Sequence, residues 1–343
     1  MRYFRPVPCP FDRPQALPIA GGPLGFAEIE VISRDGVEVL PVVAIEALWP
    51  EAPEAVERIA TARPALAGIE FDRPRIMGIV NVTPDSFSDG GRHDSVEAAV
   101  AHALGLVEAG ADVLDIGGES TRPGAEPVAE EAELSRVLPV IDGLARAGCP
   151  VPISIDTRKA AIADAALASG ARIVNDVSGL THDPAMAAVA ARAEGVILMH
   201  AQGDPRTMQD APDYGDVLLD VYDFLLGRLA AAEAAGIPRH RIAVDPGIGF
   251  GKTMAHNLAL IRRLSLFQAL GTAVLLGASR KRFVGTLSGV VPAERRVAGS
   301  VAAALAAAAE GAQILRVHDV RETREALAVW QAIRAAESQK GWV

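Results

Sequence analysis

Polar and charged side chains stand at the carboxyl ends of eight short apolar segments in this chain of 343 residues. Asp156, Asn175 and Asp245 supply two carboxylates and an amide, which together suit a flat heterocycle with several N–H donors. Lys281 would serve the carbonyl and nitrogen acceptors on the other edge of such a ring. Each of the Asp and Asn residues taken singly is better explained as a helix cap, but Lys281 is not.

A second group of these side chains is cationic. Arg122, Arg316 and His318 suit a phosphate or diphosphate, because cationic side chains form strong, directional hydrogen bonds with its oxygens. Asn81, with Asp85 nearby, suits a hydrated Mg²⁺ ion, which takes few protein ligands and completes its shell with phosphate and water. Helix caps do not explain so many cations at strand ends. The whole set predicts a heterocycle tethered to a diphosphate as the ligand.

The segments that must position these groups alternate between strands and helices. Short runs rich in Val, Ile and Leu are separated by Ala- and Leu-rich stretches with charges at helical spacing. The predicted strands are 76–81, 113–117, 151–156, 172–176, 195–200, 241–245, 273–278 and 314–318. This alternation requires a parallel sheet with right-handed crossovers. Eight units predict a (β/α)8 TIM barrel, in which function gathers at the carboxyl ends of the strands.

The first part of the chain follows a different pattern. We therefore predict two regions, an N-terminal accessory segment at 1–72 and the barrel at 73–340. Residues 28–40 alternate polar and apolar side chains around Asp35-Gly36, which predicts a β-hairpin. A weaker helical pattern covers 53–62, and 66–74 resembles an extended segment leading into the barrel. We expect either a small accessory subdomain or a plug over one end of the barrel, with an interaction surface as the alternative.

Composition excludes several classes of partner. A net charge of -10 argues against a nucleic-acid surface, which needs clustered Lys and Arg. No apolar run reaches the roughly 18 residues that would cross a bilayer, and the first residues contain prolines where a signal peptide needs an apolar core, so we expect a cytoplasmic protein. Cys9 and Cys149 are too few for a disulfide framework and lack the spacing of a metal site.

One glycine-rich stretch resembles a nucleotide-binding loop but does not match its motif. The stretch Asp245-Pro-Gly-Ile-Gly-Phe-Gly-Lys-Thr253 resembles a Walker A motif, but Pro246 occupies the position of its first glycine. It also differs from the dinucleotide fingerprint, because Lys252 stands at the third glycine position. We expect these glycines to let the backbone approach a ligand while Phe250 packs against it.

The strand-end motifs, taken in order, closely resemble those of the dihydropteroate synthase family. The most specific are Asn81-Val-Thr-Pro-Asp-Ser-Phe-Ser-Asp-Gly-Gly91 and the glycine-rich stretch that begins at Asp245. The other matching motifs are 118–124, 154–157, 174–177, 199–203, 279–281 and 316–320. The resemblance implies an Mg²⁺-dependent enzyme that joins 4-aminobenzoate to 6-hydroxymethyl-7,8-dihydropterin diphosphate. It also implies sulfonamide binding in competition with 4-aminobenzoate, and a homodimer formed through barrel helices.

The resemblance also assigns roles to individual residues. Those expected to bind the pterin are Asp156, Asn175, Asp245, Lys281 and Met199. Those expected to bind the diphosphate are Asn81, Arg122, Arg316 and His318, with Asn81 also serving the metal. Those expected to shape the 4-aminobenzoate pocket are Thr121, Pro123, Phe87, Phe250 and Ser279. Those expected to act in catalysis are Asp156, Lys281, Asn81, Arg316 and His318.

The expected reaction is a dissociative substitution, in which diphosphate departs from a methylene group on an electron-rich ring before the aryl amine attacks. Two other functions share a pterin site of this kind. A methyltetrahydrofolate methyltransferase that acts with a corrinoid protein needs no diphosphate site, so Arg122, Arg316 and His318 argue against it. A non-catalytic pterin-binding paralogue would be expected to have lost residues from the cationic group or from the loop after the first barrel strand, and none is missing.

Overall fold

The computed structural model describes residues 1–82, 92–120, 125–203, 207–208 and 211–338. The strands in this part of the chain are β1 (Tyr3–Pro10), β2 (Leu17–Pro18), β3 (Leu24–Ser33), β4 (Gly36–Pro41), β5 (Arg75–Asn81), β6 (Val113–Gly117), β7 (Ile153–Asp156), β8 (Ile173–Asp176), β9 (Gly195–Met199), β10 (Ile242–Asp245), β11 (Ala273–Leu276) and β12 (Ile314–Val317). The α-helices are α1 (Val42–Leu48), α2 (Ala52–Ala60), α3 (Arg92–Ala109), α4 (Glu130–Arg146), α5 (Ala160–Ala168), α6 (Met186–Ala190), α7 (Val217–Ala234), α8 (Met254–Arg262), α9 (Arg282–Ser288), α10 (Val297–Ala309) and α11 (Val320–Ser338). Short 3-10 helices cover Arg239–Arg241, Leu264–Leu270 and Ala293–Arg295.

Strands β5 to β12 form a closed barrel in which every neighbouring pair is parallel. β12 pairs with β5 and closes the ring, and at least one helix lies between each strand and the next along the chain. The predicted TIM barrel is therefore confirmed. Its strands are almost entirely buried, because the surrounding helices cover their outer face and packed side chains fill the inside.

The amino-terminal end of the barrel is filled by apolar side chains. Met77, Val113, Ile173 and Ile314 come from the strands and form a cluster with residues 66–71 of the segment that precedes them. Residues 66–69 form a tight turn rather than the predicted extended segment, because the Leu66 and Ile69 backbones exchange hydrogen bonds of 3.1 and 2.8 Å. The carboxyl-terminal end of the barrel is thus the end that can receive a ligand.

The predicted N-terminal hairpin is present as part of a small antiparallel sheet. β3 pairs with β4 through a two-residue connection, Arg34 and Asp35, so that Gly36 opens β4 rather than completing the turn. β1 lies on the other side of β3 as an edge strand, although prolines at positions 6, 8 and 10 kept it out of the sequence prediction. Edge strands tolerate proline because one side of the strand needs no N–H donors.

The N-terminal sheet is bound to the outside of the barrel by polar contacts. Tyr3 donates a hydrogen bond of 2.8 Å to Asp223 of α7, and Arg5 forms an ion pair of 2.9 Å with Glu310 after α10. The buried Arg63 guanidinium donates to the backbone carbonyl of Thr272 at 3.0 Å. None of the described helices is long and apolar enough to cross a membrane.

Candidate active site at the barrel mouth

The parallel strands bring the predicted site residues to one end of the barrel. Asn81, Asp156, Met199 and Asp245 are the last residues of β5, β7, β9 and β10. Other predicted residues lie within one to five positions of a strand end, namely Asn175, Phe250, Ser279, Lys281, Arg316 and His318. Phe87, Thr121, Arg122 and Pro123, together with Asp85, lie outside the described residues.

Arg316 forms the centre of the polar contacts at this mouth. Its Nη2 atom donates to Asp156 Oδ2 at 2.6 Å, and its Nε atom donates to Asp115 Oδ2, also at 2.6 Å. Burial by itself would lower the pKa of Arg316, but the Asp115 and Asp156 carboxylates raise it above its ordinary value. The sequence placed Arg316 with the anion-binding group, whereas its observed contacts are with carboxylates next to the predicted ring-binding group.

Asp115 is a site residue that the sequence reasoning missed. Its side chain is completely buried, and its Oδ2 atom accepts a second hydrogen bond, from Asn175 Nδ2 at 3.0 Å. Only residues near strand ends were considered, and Asp115 lies in the middle of β6. A usable signal was present, because an aspartate inside the run Val113-Leu-Asp-Ile-Gly117 must have polar partners to be buried.

Asp245 lies on the same side of the barrel interior as Arg316. A Cβ atom added to Gly277, which follows the strand between them, would lie 3.8 Å from Asp245 Oδ2 and 3.7 Å from Arg316 Cβ. The Gly247 backbone N–H donates to Asp245 Oδ1 at 2.7 Å, which fixes the carboxylate. Asp245 and Arg316 therefore lie close together and not on opposite sides of the barrel. The depression that they line with Asp156, Asn175 and Lys281 at the carboxyl-terminal end of the barrel is called the cup below.

Lys281 closes another side of the same cup. Its Nζ atom donates to the backbone carbonyl of Ile248 and lies 4.1 Å from the centre of the Phe250 ring, a cation–π contact. Burial lowers the pKa of Lys281 to about 7, although the Asp245 carboxylate opposes this change. A ligand that offers a hydrogen-bond acceptor to Nζ would stabilise the charged form of this lysine.

Burial also affects the acids of the cup. It raises the pKa of Asp156 to about 7, against the opposing charge of Arg316, and the nearby Asp115 carboxylate raises it further. Burial likewise raises the pKa of Asp245, while the Gly247 N–H and the charge of Lys281 lower it. Carboxylates held in this way favour a ligand that brings N–H donors or positive charge.

The glycine-rich loop after β10 is held by contacts within the protein. Gly247 has a φ of +69°, and a Cβ atom there would lie 1.8 Å from the His200 carbonyl oxygen, so no other residue fits. The buried Lys252 lies 2.8 Å from His200 Nδ1 and donates to the Phe250 carbonyl at 3.0 Å. These contacts fix the backbone on both sides of Phe250, whose ring packs under Lys281.

A buried ion-pair cluster fixes the stems of the loop after β6. Lys159 Nζ lies 2.6 Å from Glu133 Oε2 and 3.1 Å from Glu119 Oε2. It also donates to the Val128 carbonyl at 2.6 Å, and the Val128 N–H donates to Glu119 at 3.1 Å. Glu119 and Val128 flank residues 121–124 in the sequence, so the cluster fixes described residues on both sides of that segment.

The described side chains that the sequence predicts to bind the anion are carried by β12 and its neighbour β5. The His318 backbone N–H donates to Ser279 Oγ at 3.2 Å, and the same hydroxyl lies 3.0 Å from His318 Nδ1. Asn81 ends β5, which pairs directly with β12. Among the described residues, no group of three or more His, Cys, Asp or Glu side chains is placed to hold a metal ion.

The arrangement can hold a planar nitrogen heterocycle against acidic groups while its substituent meets cations. Asp245, Asn175 and Asp156 offer acceptor oxygens, and Lys281 offers donors from the side of the loop that follows β11. His318 and Asn81 lie at the adjacent β12 and β5 edge.

Comparisons with known proteins agree with this geometry. Residues 77–318 match the model of a family described as pterin binding enzyme. Dihydropteroate synthase of Escherichia coli (strain K12) is 46% identical over 272 residues, which cover 79% of this chain and 96% of the relative. A solved structure of Xanthomonas albilineans dihydropteroate synthase with 4-aminobenzoic acid is 54% identical, with a TM-score of 0.75, and covers 80% of this chain and 99% of that one.

A second solved structure of the Xanthomonas albilineans protein contains 7,8-dihydropteroate. It is 51% identical, with a TM-score of 0.70, and covers 77% of this chain and 95% of that one. The family match begins inside β5, so the N-terminal sheet precedes the part of the chain that the family model describes.

Proposed function

The chain belongs to the dihydropteroate synthase family of pterin binding enzymes, and from that premise we propose how its residues divide the reaction between them. The enzyme transfers a pterinylmethyl group in folate synthesis. It joins 4-aminobenzoate to (7,8-dihydropterin-6-yl)methyl diphosphate and releases 7,8-dihydropteroate and diphosphate. The observation that carries our assignment is the continuous contact from Asn175 through Asp115 and Arg316 to Asp156, with Asp245 beside it.

The pterin occupies the acidic part of the cup in this proposal. Asp245 and Asn175 accept hydrogen bonds from ring N–H groups, and Met199, which pairs in register with Asp245, packs against the ring face. Lys281 donates to the acceptor atoms of the ring and gains a fully charged state in return. Asp156 faces the positive charge that appears on the pterin as the diphosphate departs, and its carboxylate stabilises that charge.

The diphosphate meets the cationic part of the cup. His318 and Arg316 contribute from β12, Asn81 contributes from β5, and Arg122 contributes from outside the described residues. An Mg²⁺ ion fits this donor set, because such an ion needs only one or two protein oxygens when phosphate and water supply the others. Asn81 would hold it, and the ion would neutralise charge on the diphosphate.

The 4-aminobenzoate lies between the Phe250 side of the cup and the loops that follow β5 and β6. Phe250 is fixed under Lys281, and Ser279 is fixed against His318, so both border the position of the reacting methylene group. Thr121, Pro123 and Phe87 complete this pocket in our proposal. The aryl amine is a weak base that needs no deprotonation before attack, so orientation supplies most of its acceleration.

The two alternatives to a synthase fit the site less well. A methyltetrahydrofolate methyltransferase or a non-catalytic paralogue would need the acidic part of the cup but no cations beside it. His318 and Arg316 are both present at the carboxyl end of β12, and His318 is held in place by Ser279. The cationic side of the site therefore favours the release of an anion.

The proposed function predicts a metal-dependent synthase activity. Purified protein given both substrates and Mg²⁺ should form dihydropteroate and diphosphate in equal amounts. Removing divalent metal with a chelator should lower the rate at least tenfold, and adding Mg²⁺ should restore it, because the departing charge loses its counter-ion. The measurement is chromatography of the pterin products with a coupled diphosphate assay. Absence of dihydropteroate with Mg²⁺ present would refute the function, and full activity in chelator would refute the metal.

We also propose that the protein forms a homodimer through helices α8 and α9. Met254 and Leu258 are exposed one turn apart on α8, and Leu287 of α9 and the following Val291 are exposed as well. Both helices pack against α10, so these side chains border one surface of the barrel. Such a patch is typical of a subunit interface.

Light scattering tests the dimer. The native protein should have twice the 35.8 kDa mass of one chain. Leu258→Glu should shift it toward the monomer, because a charge would be buried at the interface. Val329→Glu, an equivalent change at an exposed apolar residue of α11, should leave the dimer intact. A monomeric native protein, or equal behaviour of the two variants, would contradict this interface.

A further inference from the structure

Asp115 is a completely buried carboxylate at the site, and the proposed function gives it no part in the reaction. It lies in the middle of β6, and its Cα is in register with that of Ser154 on β7. Asp156 is in register with Gly117 and also with Asn175, so Asn175 lies two residues nearer the mouth than Asp115. Asp115 therefore stands one layer deeper in the barrel than the residues proposed to touch the pterin.

The hydrogen bond between the two residues fixes the orientation of the Asn175 amide. Asp115 Oδ2 also accepts from Arg316 Nε, and a carboxylate oxygen in that position can only accept, so Asn175 must present its NH₂ group to Asp115. The carbonyl oxygen of the amide lies opposite its nitrogen. Because Asp115 is deeper in the barrel, Asn175 Oδ1 faces the mouth.

We propose that Asp115 is a positioning residue that makes Asn175 an acceptor for a ring N–H of the pterin. This inference rests on the proposed function and extends it, because it gives a physical origin for selection of a heterocycle that has N–H donors on this edge. An unconstrained asparagine could turn its amide over and present a donor instead, at no cost in shape. With Asp115 below it, the reversed amide would place oxygen against oxygen.

A single atom of Asp115, Oδ2, accepts both hydrogen bonds, so a comparison of Asp115→Asn with Asp115→Ala is informative. Asp115 Oδ1 is buried and makes no hydrogen bond within the described residues, so both donors meet Oδ2 alone. Asp115→Asn can keep a carbonyl oxygen at Oδ2 and place its NH₂ at the unused position. Asp115→Ala removes the acceptor altogether. The two variants therefore separate the hydrogen-bonding role of Asp115 from a role as a negative charge near Arg316.

The experiment measures binding of 6-hydroxymethylpterin, without diphosphate, by titration calorimetry to the full-length protein. Asp115→Asn should bind this probe within about threefold of the native protein, and Asp115→Ala should bind it about tenfold more weakly, as expected for one hydrogen bond lost or misdirected. Ser154→Ala is a matched control, because its buried hydroxyl has no hydrogen-bond partner in the described structure and lies in the same layer. It should bind as the native protein does.

A double-mutant cycle shows whether Asp115 acts through Asn175. In an Asn175→Ala background, Asp115→Ala should cause little further loss of affinity, because the oriented amide is already absent. The proposal is overturned if Asp115→Asn is as impaired as Asp115→Ala, if Asp115→Ala binds normally, or if the losses simply add. Thermal unfolding verifies that each variant is folded, and if Asp115→Ala does not fold, Asp115→Leu takes its place.

The failure of this inference can be distinguished from failure of the proposed function. If the native protein does not bind the pterin probe, the assignment of the acidic half of the cup is wrong. If the native protein binds the probe and forms dihydropteroate, but the affinities of the Asp115 variants differ from those expected, only the role of Asp115 is wrong.

Discussion

Replacing Lys281 with alanine should lower kcat/KM for the pterin diphosphate by a factor of about 100 or more, equivalent to about 2.7 kcal/mol of transition-state stabilisation. Lys281 is the cation that the fold holds above the Phe250 ring, next to the charges of Asp245 and Arg316. In the proposed function its loss removes a preorganised donor to the pterin, and it takes one of the neighbouring positive charges away from Asp245.

Steady-state kinetics at saturating 4-aminobenzoate measure this effect. Arg282→Ala is the matched control, because Arg282 is the next residue, carries the same charge and is exposed at the start of α9. We expect it to retain native activity. Near-native activity of Lys281→Ala in a folded protein would exclude Lys281 from the reaction.

The pH profile gives the Lys281 variant a second readout. Burial lowers the pKa of Lys281 to about 7 in the free protein, so native kcat/KM should fall as the pH rises above about 7 and the lysine loses its proton. An arginine stays protonated there, so the remaining activity of Lys281→Arg should lack this alkaline fall. An unchanged fall in that variant would mean that another group titrates.

Replacing Asp156 with alanine should also lower turnover by a factor of about 100 or more, because in the proposed function its carboxylate faces the charge that develops on the pterin. The variant should remain folded, since Arg316 keeps its 2.6 Å contact with Asp115 when Asp156 is removed. The measurement is kcat with both substrates saturating, accompanied by the melting temperature.

Asp142→Ala is the control for Asp156, because Asp142 is an exposed aspartate on α4. It should have native kcat. An Asp156→Ala variant with kcat close to that of the control would show that stabilisation of the pterin cation comes from other groups.

The barrel and most of its site could be predicted because the signals are local. Each strand is a short apolar run, and a polar residue marks the point where it meets the mouth, as at Asp156 and Asp245. Parallel strands then bring those ends together without further information. The N-terminal hairpin was also predictable from a local signal, because polar and apolar side chains alternate along β3 and β4 with the two-residue period of a strand.

What escaped prediction depends on contacts between distant residues. The pairing of Arg316 with Asp115 and Asp156 joins three strands, and no spacing in the sequence reveals which carboxylate a guanidinium will meet. Helix α1 was missed because its sequence, Val-Val-Ala-Ile-Glu-Ala-Leu, is as compatible with a strand as with a short helix. The turn at 66–69 was missed because Ala67, with a φ of +48°, adopts a conformation rare outside glycine.

The proline-rich edge of the N-terminal sheet has a consequence for how the protein behaves at high concentration. Pro6, Pro8 and Pro10 deprive β1 of three backbone donors along the border of its sheet. The Pro6 carbonyl also accepts a hydrogen bond of 2.9 Å from Ser265 Oγ, and β1 packs against the 3-10 helix Leu264–Leu270. A strand from a neighbouring molecule would therefore meet a border that is covered and short of donors. This border disfavours extension of the N-terminal sheet from one molecule to the next.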